Sequence, residues 1–354
     1  MNEDAFARAE AFRKRSKYRD AIALYRQCLR GSRGEGRLRC LLAVADTSRM
    51  VGDFVEASKY YERAMKSARQ SGDAVAALDA TVGLALARRA LGDWRKAMPL
   101  LKKARASYSR GGDREGTAFT QWALAGTLRI KGDIKEAFKT FRTAGKAFER
   151  LGDDHGVGYC LCGMGGSSRV RGRFKDSLNY YEKANGLFKR LRDTFGTAYS
   201  HCGIGNALRM QGDLEGAKAH FRRAIALYRG MGDIVSYSYT LWSMGKTHMA
   251  QGRNRLAERY LRDALLHFRK TRDPRGIIYC NLGFAELKYL GSRKAEAARL
   301  ARSAAEQARE RGFKVEHCHA RALLAVVEER PRPGCYNTLG LRLPGVKSIP
   351  MEIP

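Results

Sequence analysis

The chain has 354 residues, of which 44% are apolar and 29% are charged, and 67 Lys plus Arg against 36 Asp plus Glu give a net charge of +31. This apolar content is sufficient for a buried core, and the length predicts either two domains or one elongated repeat array. Five of the seven prolines lie beyond residue 330, and the rest of the chain is rich in the helix formers Ala, Leu, Arg and Lys. The composition therefore disfavours β-sandwich, collagen-like and disordered proteins.

The N-terminal region is charged, and no apolar run has the length of a secretion signal or a membrane-spanning helix. We therefore expect a cytoplasmic protein. Eight cysteines can be read as a disulfide set, but Cys40, Cys160 and Cys280 recur at multiples of 40 residues within predicted helices, where they resemble small packing residues. The sequence therefore favours free thiols.

A 40-residue repeat organises the chain. One series of turns begins at Gly52, Gly92, Gly132, Gly172, Gly212 and Gly252, and a second series of turns lies halfway between them. Most of these glycines precede an aspartate. Glycine accepts the left-handed backbone that ends a helix, and aspartate accepts hydrogen bonds from the first N–H groups of the next helix. Each repeat is therefore predicted to contain two helices and two turns.

In chain order, the sequence predicts a helical pair over 1–30, seven 40-residue repeats over 31–310, a capping helix over 311–329 and a proline-containing extended tail over 330–354. The second helices of the repeats are predicted over 54–70, 94–110, 134–150, 174–190, 214–230 and 254–270, each preceded by a longer first helix. Within them, residues such as Ala137, Phe141 and Ala144 follow an i, i+4, i+7 spacing, which predicts a buried face.

The residues at fixed repeat positions resemble the signature of the tetratricopeptide repeat (TPR) superfamily. One repeat reads Ile204-Gly205, Gly212-Asp213, Ala217, Phe221 and Ala224. The usual period is about 34 residues, with a closing proline that this chain lacks, so the sequence is more similar to the 40-residue subclass found in Pins/LGN-type adaptors and bacterial regulatory arrays. The resemblance implies an all-α solenoid, a right-handed superhelix of helix-turn-helix repeats whose first helices line the concave surface.

Other motifs are weak. The glycines of Gly163-Met164-Gly165-Gly166 resemble a phosphate loop, but they share repeat positions with alanines on a predicted helix, and no Gly-Lys-Ser/Thr follows. His317, Cys318 and His319 form the densest group of metal-ligating types, and without a second pair we interpret them as an ordinary helix surface. We therefore expect no enzyme activity, cofactor, metal or small-molecule substrate.

The resemblance maps the family's ligand-contacting positions onto four columns of residues spaced 40 apart. The predicted peptide-binding residues are Phe119, Tyr159, Tyr199, Tyr239 and Tyr279 in the first column, Trp122 and Trp242 in the second, Asn206 in the third, and Arg49, Arg89, Arg129, Arg169 and Arg209 in the fourth. Steps of three or four residues place all four columns on one helical stripe.

Each column also has a structural interpretation. The arginines stand three residues before the glycine that closes the helix, where a cation complements the helix dipole, and the tyrosines can pack within the array. Because the arginine column continues as Met249 and Tyr289, where the same dipole persists, we prefer the binding interpretation.

The stripe predicts a non-catalytic scaffold that binds an extended, acidic peptide segment of a partner protein. Such a segment would present side chains to successive repeats, with carboxylates bound by arginine and apolar groups lying on the rings. The alternative is an array that binds RNA or another polyanion, because the net charge is strongly basic and arginine with aromatic rings also suits phosphates and bases.

The proline spacing of the tail predicts an absence of helix, and its apolar residues are too many for a passive linker. We expect the tail to cap the last helix, with docking to another protein as the alternative. Insertion of the tail into the groove is disfavoured, because its basic side chains would meet the arginine column with like charge.

Overall fold

The computed structural model describes residues 1–343, 348–351 and 353, and within these residues it contains 18 helices and no strand. The first helices of the pairs are α1 (Glu3–Lys14), α3 (Gly34–Met50), α5 (Ala74–Ala90), α7 (Arg114–Lys131), α9 (Asp154–Val170), α11 (Thr194–Met210), α13 (Ile234–Ala250) and α15 (Pro274–Leu290). The second helices are α2 (Tyr18–Arg30), α4 (Phe54–Gln70), α6 (Trp94–Arg110), α8 (Ile134–Leu151), α10 (Phe174–Arg190), α12 (Leu214–Met231), α14 (Asn254–Thr271) and α16 (Lys294–Arg311). Two further helices follow, α17 (Lys314–Val327) and α18 (Cys335–Leu339).

The predicted second helices are confirmed to within one residue at each end. The prediction of longer first helices is wrong, because from α3 to α16 the first and second helices alike contain 17 or 18 residues. A typical turn has Gly212 in the left-handed region (φ 88°) and the Asp213 carboxylate accepting a 2.9 Å hydrogen bond from the Gly216 N–H. The two turn types are therefore spaced evenly.

Ala137, Phe141 and Ala144 of the second helix α8 are buried, as predicted. Packing between repeats also depends on small residues in the first helices. A Cβ atom at Gly203 would lie 2.1 Å from the Tyr181 ring, a distance that no side chain can accept. Each glycine of this kind makes room for an aromatic ring of a neighbouring helix, so the helices approach closely.

Successive turns of the superhelix touch. A Cβ at Gly92 would lie 2.5 Å from Cγ of Pro274, which is 182 residues further along the chain, about four and a half repeats. The Trp94 indole N–H donates to the carbonyl oxygen of Arg311 at 2.9 Å, and the Lys314 ammonium lies 2.7 Å from an Asp133 carboxylate oxygen. The contacts between successive turns therefore close the predicted concave groove into a channel lined by the first helices.

The C-terminal region corrects three predictions. Cys318 and Cys335 form a disulfide between α17 and α18, so these two cysteines are not free thiols, whereas the other six are. The tail contains the short helix α18, which fits between Pro333 and the later prolines. Cys318 and His319 are buried beneath the tail and do not form an ordinary helix surface, because α18 lies against α17 and the Tyr336 hydroxyl is 2.8 Å from Nδ1 of His319.

The end of the tail reaches the inner surface, although insertion was disfavoured. Met351 and Ile353 are 0% and 1% exposed and pack in one cluster with Trp242, Tyr279 and Leu282. Like charge does not keep the tail away from the arginine column, since Arg209 donates to the backbone carbonyl oxygen of Ile353 at 2.8 Å. Residues 344–347, 352 and 354, which include the basic Lys347, lie outside the described residues.

Candidate functional site: an arginine-lined channel

The channel holds a cavity of about 320 Å³ that is lined by residues of α5, α7, α9, α11, α13 and α15. Eight of the predicted site residues line it: Arg89, Arg129, Arg169, Tyr199, Asn206, Tyr239, Trp242 and Tyr279. The cavity is of the size that binds small ligands or a few residues of a peptide. The remaining predicted residues, Arg49, Phe119, Trp122, Tyr159 and Arg209, lie outside its lining.

Arg49 lies at the N-terminal end of the arginine column. Its Nε donates to the Tyr61 hydroxyl at 3.2 Å, and that hydroxyl donates to the Asp46 carboxylate at 2.5 Å. Arg49 and Phe119 line a second groove, separate from the cavity, in which Phe119 is 42% exposed and its ring centre lies 5.4 Å from that of Trp122. Arg49 therefore has a hydrogen-bond partner and a nearby negative charge within its own repeat.

Arg89, Arg129 and Arg169 surround the cavity. Arg89 donates to the carbonyl oxygen of Ala123 at 3.1 Å and lies 5.9 Å from the Trp122 ring centre. Nε of Arg129 and Nε of Arg169 are buried without a hydrogen-bond partner in the described part of the chain. Burial first, and then the neighbouring guanidinium groups of Arg129 and Arg49, lower the pKa of Arg89 to about 10. The cavity is thus strongly electropositive.

The aromatic column contributes mainly to contacts between repeats. The hydroxyls of Tyr159, Tyr239 and Tyr279 each donate a 2.9 Å hydrogen bond to a carboxylate of the next repeat, on Asp193, Asp273 and Glu316 respectively. Burial raises the pKa of all three tyrosines. Tyr199, which lines the cavity, instead stacks on Phe195 with ring centres 6.2 Å apart.

Trp242 and Asn206 complete the predicted wall of the cavity. The Trp242 indole N–H donates to the carbonyl oxygen of Tyr279 at 3.0 Å, and Arg209 lies 5.9 Å from its ring centre. The Asn206 amide donates to the carbonyl oxygen of Cys202 at 3.1 Å. Both side chains are therefore held in place by their own repeat or the next one.

Sequence reasoning missed several residues of this wall. Tyr181 and Tyr228 come from second helices, and Arg275 comes from the first turn of α15. Arg275 forms an ion pair with the buried Glu316, whose carboxylate also accepts from Tyr279. In the repeat pattern, a buried aromatic residue of a second helix stands at a packing position. Only the three-dimensional structure shows that Tyr181 and Tyr228 also reach the channel.

Comparisons with known proteins agree with this architecture. A tetratricopeptide repeat model matches residues 37–110, 76–150 and 160–230, and a second tetratricopeptide repeat model matches residues 7–39. No curated protein is significantly similar in sequence. Within the described residues, no helix combines the length and apolar character needed to cross a membrane.

Solved structures share the fold at low sequence identity. A Rap protein complexed with competence and sporulation factor is 12% identical, with coverage of 92% of this chain and 97% of that chain and a TM-score of 0.61. The Rap conjugation gene regulator of plasmid pLS20, in complex with the Phr* peptide, is 13% identical, with coverage of 87% and 95% and a TM-score of 0.66. The APC/C hetero-tetramer Cut9-Hcn1 is 14% identical, with coverage of 91% and 58% and a TM-score of 0.60.

The match of the first repeat model extends over more than half of the chain, and the helix pairs, turn residues and packing glycines follow the same repeat. The protein therefore belongs to the tetratricopeptide repeat family.

Proposed function

We propose that the protein is a non-catalytic interaction scaffold that binds an extended segment of a partner protein along its inner surface. The observation that carries this proposal is the position of the chain's own tail. Met351 and Ile353 bury their side chains against α13 and α15 while Arg209 binds the Ile353 carbonyl oxygen. This surface buries apolar side chains of the tail and donates a hydrogen bond to its backbone. These are the two kinds of contact by which an extended peptide is bound.

The charge of the channel favours an acidic segment. Arg129 and Arg169 have buried Nε atoms without described hydrogen-bond partners, and a guanidinium binds a carboxylate through two parallel hydrogen bonds. Two of the similar structures are complexes with a competence and sporulation factor and with the Phr* peptide, which supports the same mode of use for this fold.

The RNA-binding alternative has weaker support. Tyr159, Tyr239 and Tyr279 use their hydroxyls in contacts between repeats and are partly or wholly covered, so their faces are poorly placed to stack on bases. The exposed basic residues of the outer helices, such as Lys102, Arg142 and Arg222, attract polyanions without forming a defined site.

A first experiment captures partners from a native lysate at low and high salt, with and without RNase. The test variant replaces Arg129, Arg169 and Arg209 by Ala, and the matched control replaces the exposed outer residues Arg142, Arg222 and Arg259 by Ala. We expect the inner variant to lose an acidic protein partner that the control retains. Equal capture by the two variants contradicts the proposal, and RNase-sensitive capture favours the alternative.

A second experiment tests whether tail and partner share the surface. Ile353→Asp in the full chain places a charge where the structure has a fully buried side chain, so the tail should leave the inner surface. Fluorescence anisotropy with a labelled acidic peptide library should then show tighter binding than to the unaltered chain. Equal affinity of the two proteins for the peptides would contradict a binding surface shared by the tail and the partner.

A further inference from the structure

Arg89 and Arg129 occupy spaces that glycines of the next repeat leave open. A Cβ at Gly126 would lie 2.5 Å from Nη1 of Arg89, and a Cβ at Gly166 would lie 2.3 Å from Nη1 of Arg129. These two guanidinium groups therefore lie against the backbone of the following first helix, beside the cavity. In both cases the glycine stands 37 residues after the arginine, whereas Asn206 stands at the corresponding position after Arg169, which lines the same cavity.

The partners of these cations in the described part of the chain are neutral. Arg89 donates to the Ala123 carbonyl oxygen, and for Arg129 burial is outweighed by Tyr199 and Tyr181, which raise its pKa. None of them forms an ion pair with a carboxylate of residues 1–343, 348–351 or 353. Burying like charges together without counterions or full hydrogen bonding is unfavourable, and native proteins usually satisfy such groups. The two buried Nε atoms are therefore donors that an anion in the cavity could satisfy.

The other charged groups of the cavity already have partners. Asp273 accepts from the N–H groups of Arg275 and Gly276 through one oxygen and from the Tyr239 hydroxyl through the other. Arg275 is balanced by Glu316. Among the described residues that line the cavity, with Arg275 balanced by Glu316, three guanidinium charges stand against the negative charge of Asp273, an excess of 3 − 1 = 2 positive charges.

We propose that this cavity binds one compact dianion of the phosphate class, held by Arg89, Arg129 and Arg169. A phosphate dianion balances the two excess charges, which a single carboxylate does not, and its oxygens suit several guanidinium forks at once. Tyr181, Tyr199 and Asn206 line the same cavity. This inference goes beyond the proposed function, because the bound group is a phosphate dianion and not a carboxylate of an acidic segment.

The test is calorimetric titration of the full chain with inorganic phosphate at pH 8, where phosphate is a dianion, with sodium chloride at matched ionic strength as the reference. We expect saturable binding of one phosphate per chain. Replacing Arg129 and Arg169 together by Gln should weaken it by more than about ten-fold, since charged hydrogen bonds are lost. The exposed control pair, Arg142→Gln with Arg222→Gln, should bind like the unaltered chain.

A second variant tests the geometry without removing a charge. Gly166→Ala introduces a methyl group where Nη1 of Arg129 lies, so it should displace that guanidinium and weaken phosphate binding. Gly186→Ala, where a Cβ would meet nothing within 4 Å, is the control. If the Gln pair fails to fold, Arg129→Lys with Arg169→Lys keeps the charges but removes the forks, and weaker binding is again expected.

A further titration distinguishes the sources of the phosphate group. A phosphoserine peptide that binds when inorganic phosphate does not would assign the site to a phosphorylated segment, and the reverse result would assign it to a free phosphate compound. Both results support the phosphate site. The inference is overturned if neither ligand gives saturable binding, or if the exposed control pair loses as much affinity as the inner pair.

Discussion

The channel contains arginines of two kinds. Arg275 faces Glu316 of the next helix pair, and this carboxylate is only 1% exposed, whereas Arg129 faces Gly166 and has no described carboxylate partner. Both lie beside the same cavity. For these two arginines the residue opposite, in the following helix pair, makes the difference: Glu316 neutralises Arg275, whereas Gly166 gives Arg129 space and no counter-charge.

The largest expected loss of stability comes from replacing Arg275, the arginine that has a carboxylate partner. Arg275→Gln leaves Glu316 buried without its cation, and loss of one partner of a buried ion pair costs about 3–5 kcal/mol. Urea denaturation at pH 7 measures the free energy of unfolding. A loss below about 1 kcal/mol, the range of exposed ion pairs, would show that Arg275 contributes no more to stability than the arginines without a carboxylate partner.

A second effect concerns His319, which is buried near the same ion pair. Burial, opposed by Glu316 and assisted by Arg275 and Lys246, lowers the pKa of His319 to about 4 from an ordinary value of 6.5. Between these pH values the unfolded histidine binds a proton that the folded one does not. The free energy of unfolding should therefore decrease as the pH falls from 6.5 to 4, by up to about 3 kcal/mol.

Urea denaturation at pH 7 and pH 4.5 measures this dependence. His319→Asn should reduce the difference between the two pH values, while substitution of the exposed His155 should leave it unchanged. An equal difference in all three proteins would assign the acid sensitivity to other groups. Glu316 is one such group, because burial raises its pKa but Arg275 and His319 lower it below its ordinary value, so it also loses stabilising charge at low pH.

A third prediction compares two glycines under the same substitution. Gly203→Ala forces a methyl group to within 2.1 Å of the Tyr181 ring and should destabilise the fold by about 1–3 kcal/mol. Gly186→Ala meets nothing within 4 Å in the middle of α10 and should stabilise it by about 0.5–1 kcal/mol. Thermal unfolding followed by circular dichroism shows whether each variant is more or less stable than the unaltered chain. A change in the same direction for both variants would contradict the packing role of Gly203.

Much of the fold could be predicted because its determinants are local. Gly-Asp turns and the spacing of Ala137, Phe141 and Ala144 depend only on neighbouring residues, so the helices follow from the sequence. The contact between Gly92 and Pro274 depends on the accumulated rotation of several repeats, which no single repeat specifies. The enclosure of the channel was therefore missed.

The site could be predicted only in part for the same reason. The arginine column is visible as a period, and eight predicted residues do line the cavity. Which partner an arginine has depends on residues distant in sequence: Arg275 pairs with Glu316, and Arg209 donates to the carbonyl oxygen of Ile353, 144 positions away. Backbone carbonyl groups carry no sequence signal, so side-chain charge alone disfavoured the insertion of the tail that the structure shows.

The smallest effect on stability is expected for the arginines without described carboxylate partners, in contrast to Arg275. Arg129→Gln with Arg169→Gln removes two like charges beside Arg89 and leaves no buried carboxylate unpaired, so the free energy of unfolding should change by less than about 1 kcal/mol. Adding phosphate should raise the melting temperature of the unaltered chain but not that of this variant, since only a folded site that binds the ion gains stability from it. A variant that loses as much stability as Arg275→Gln would show that both kinds of arginine serve the fold.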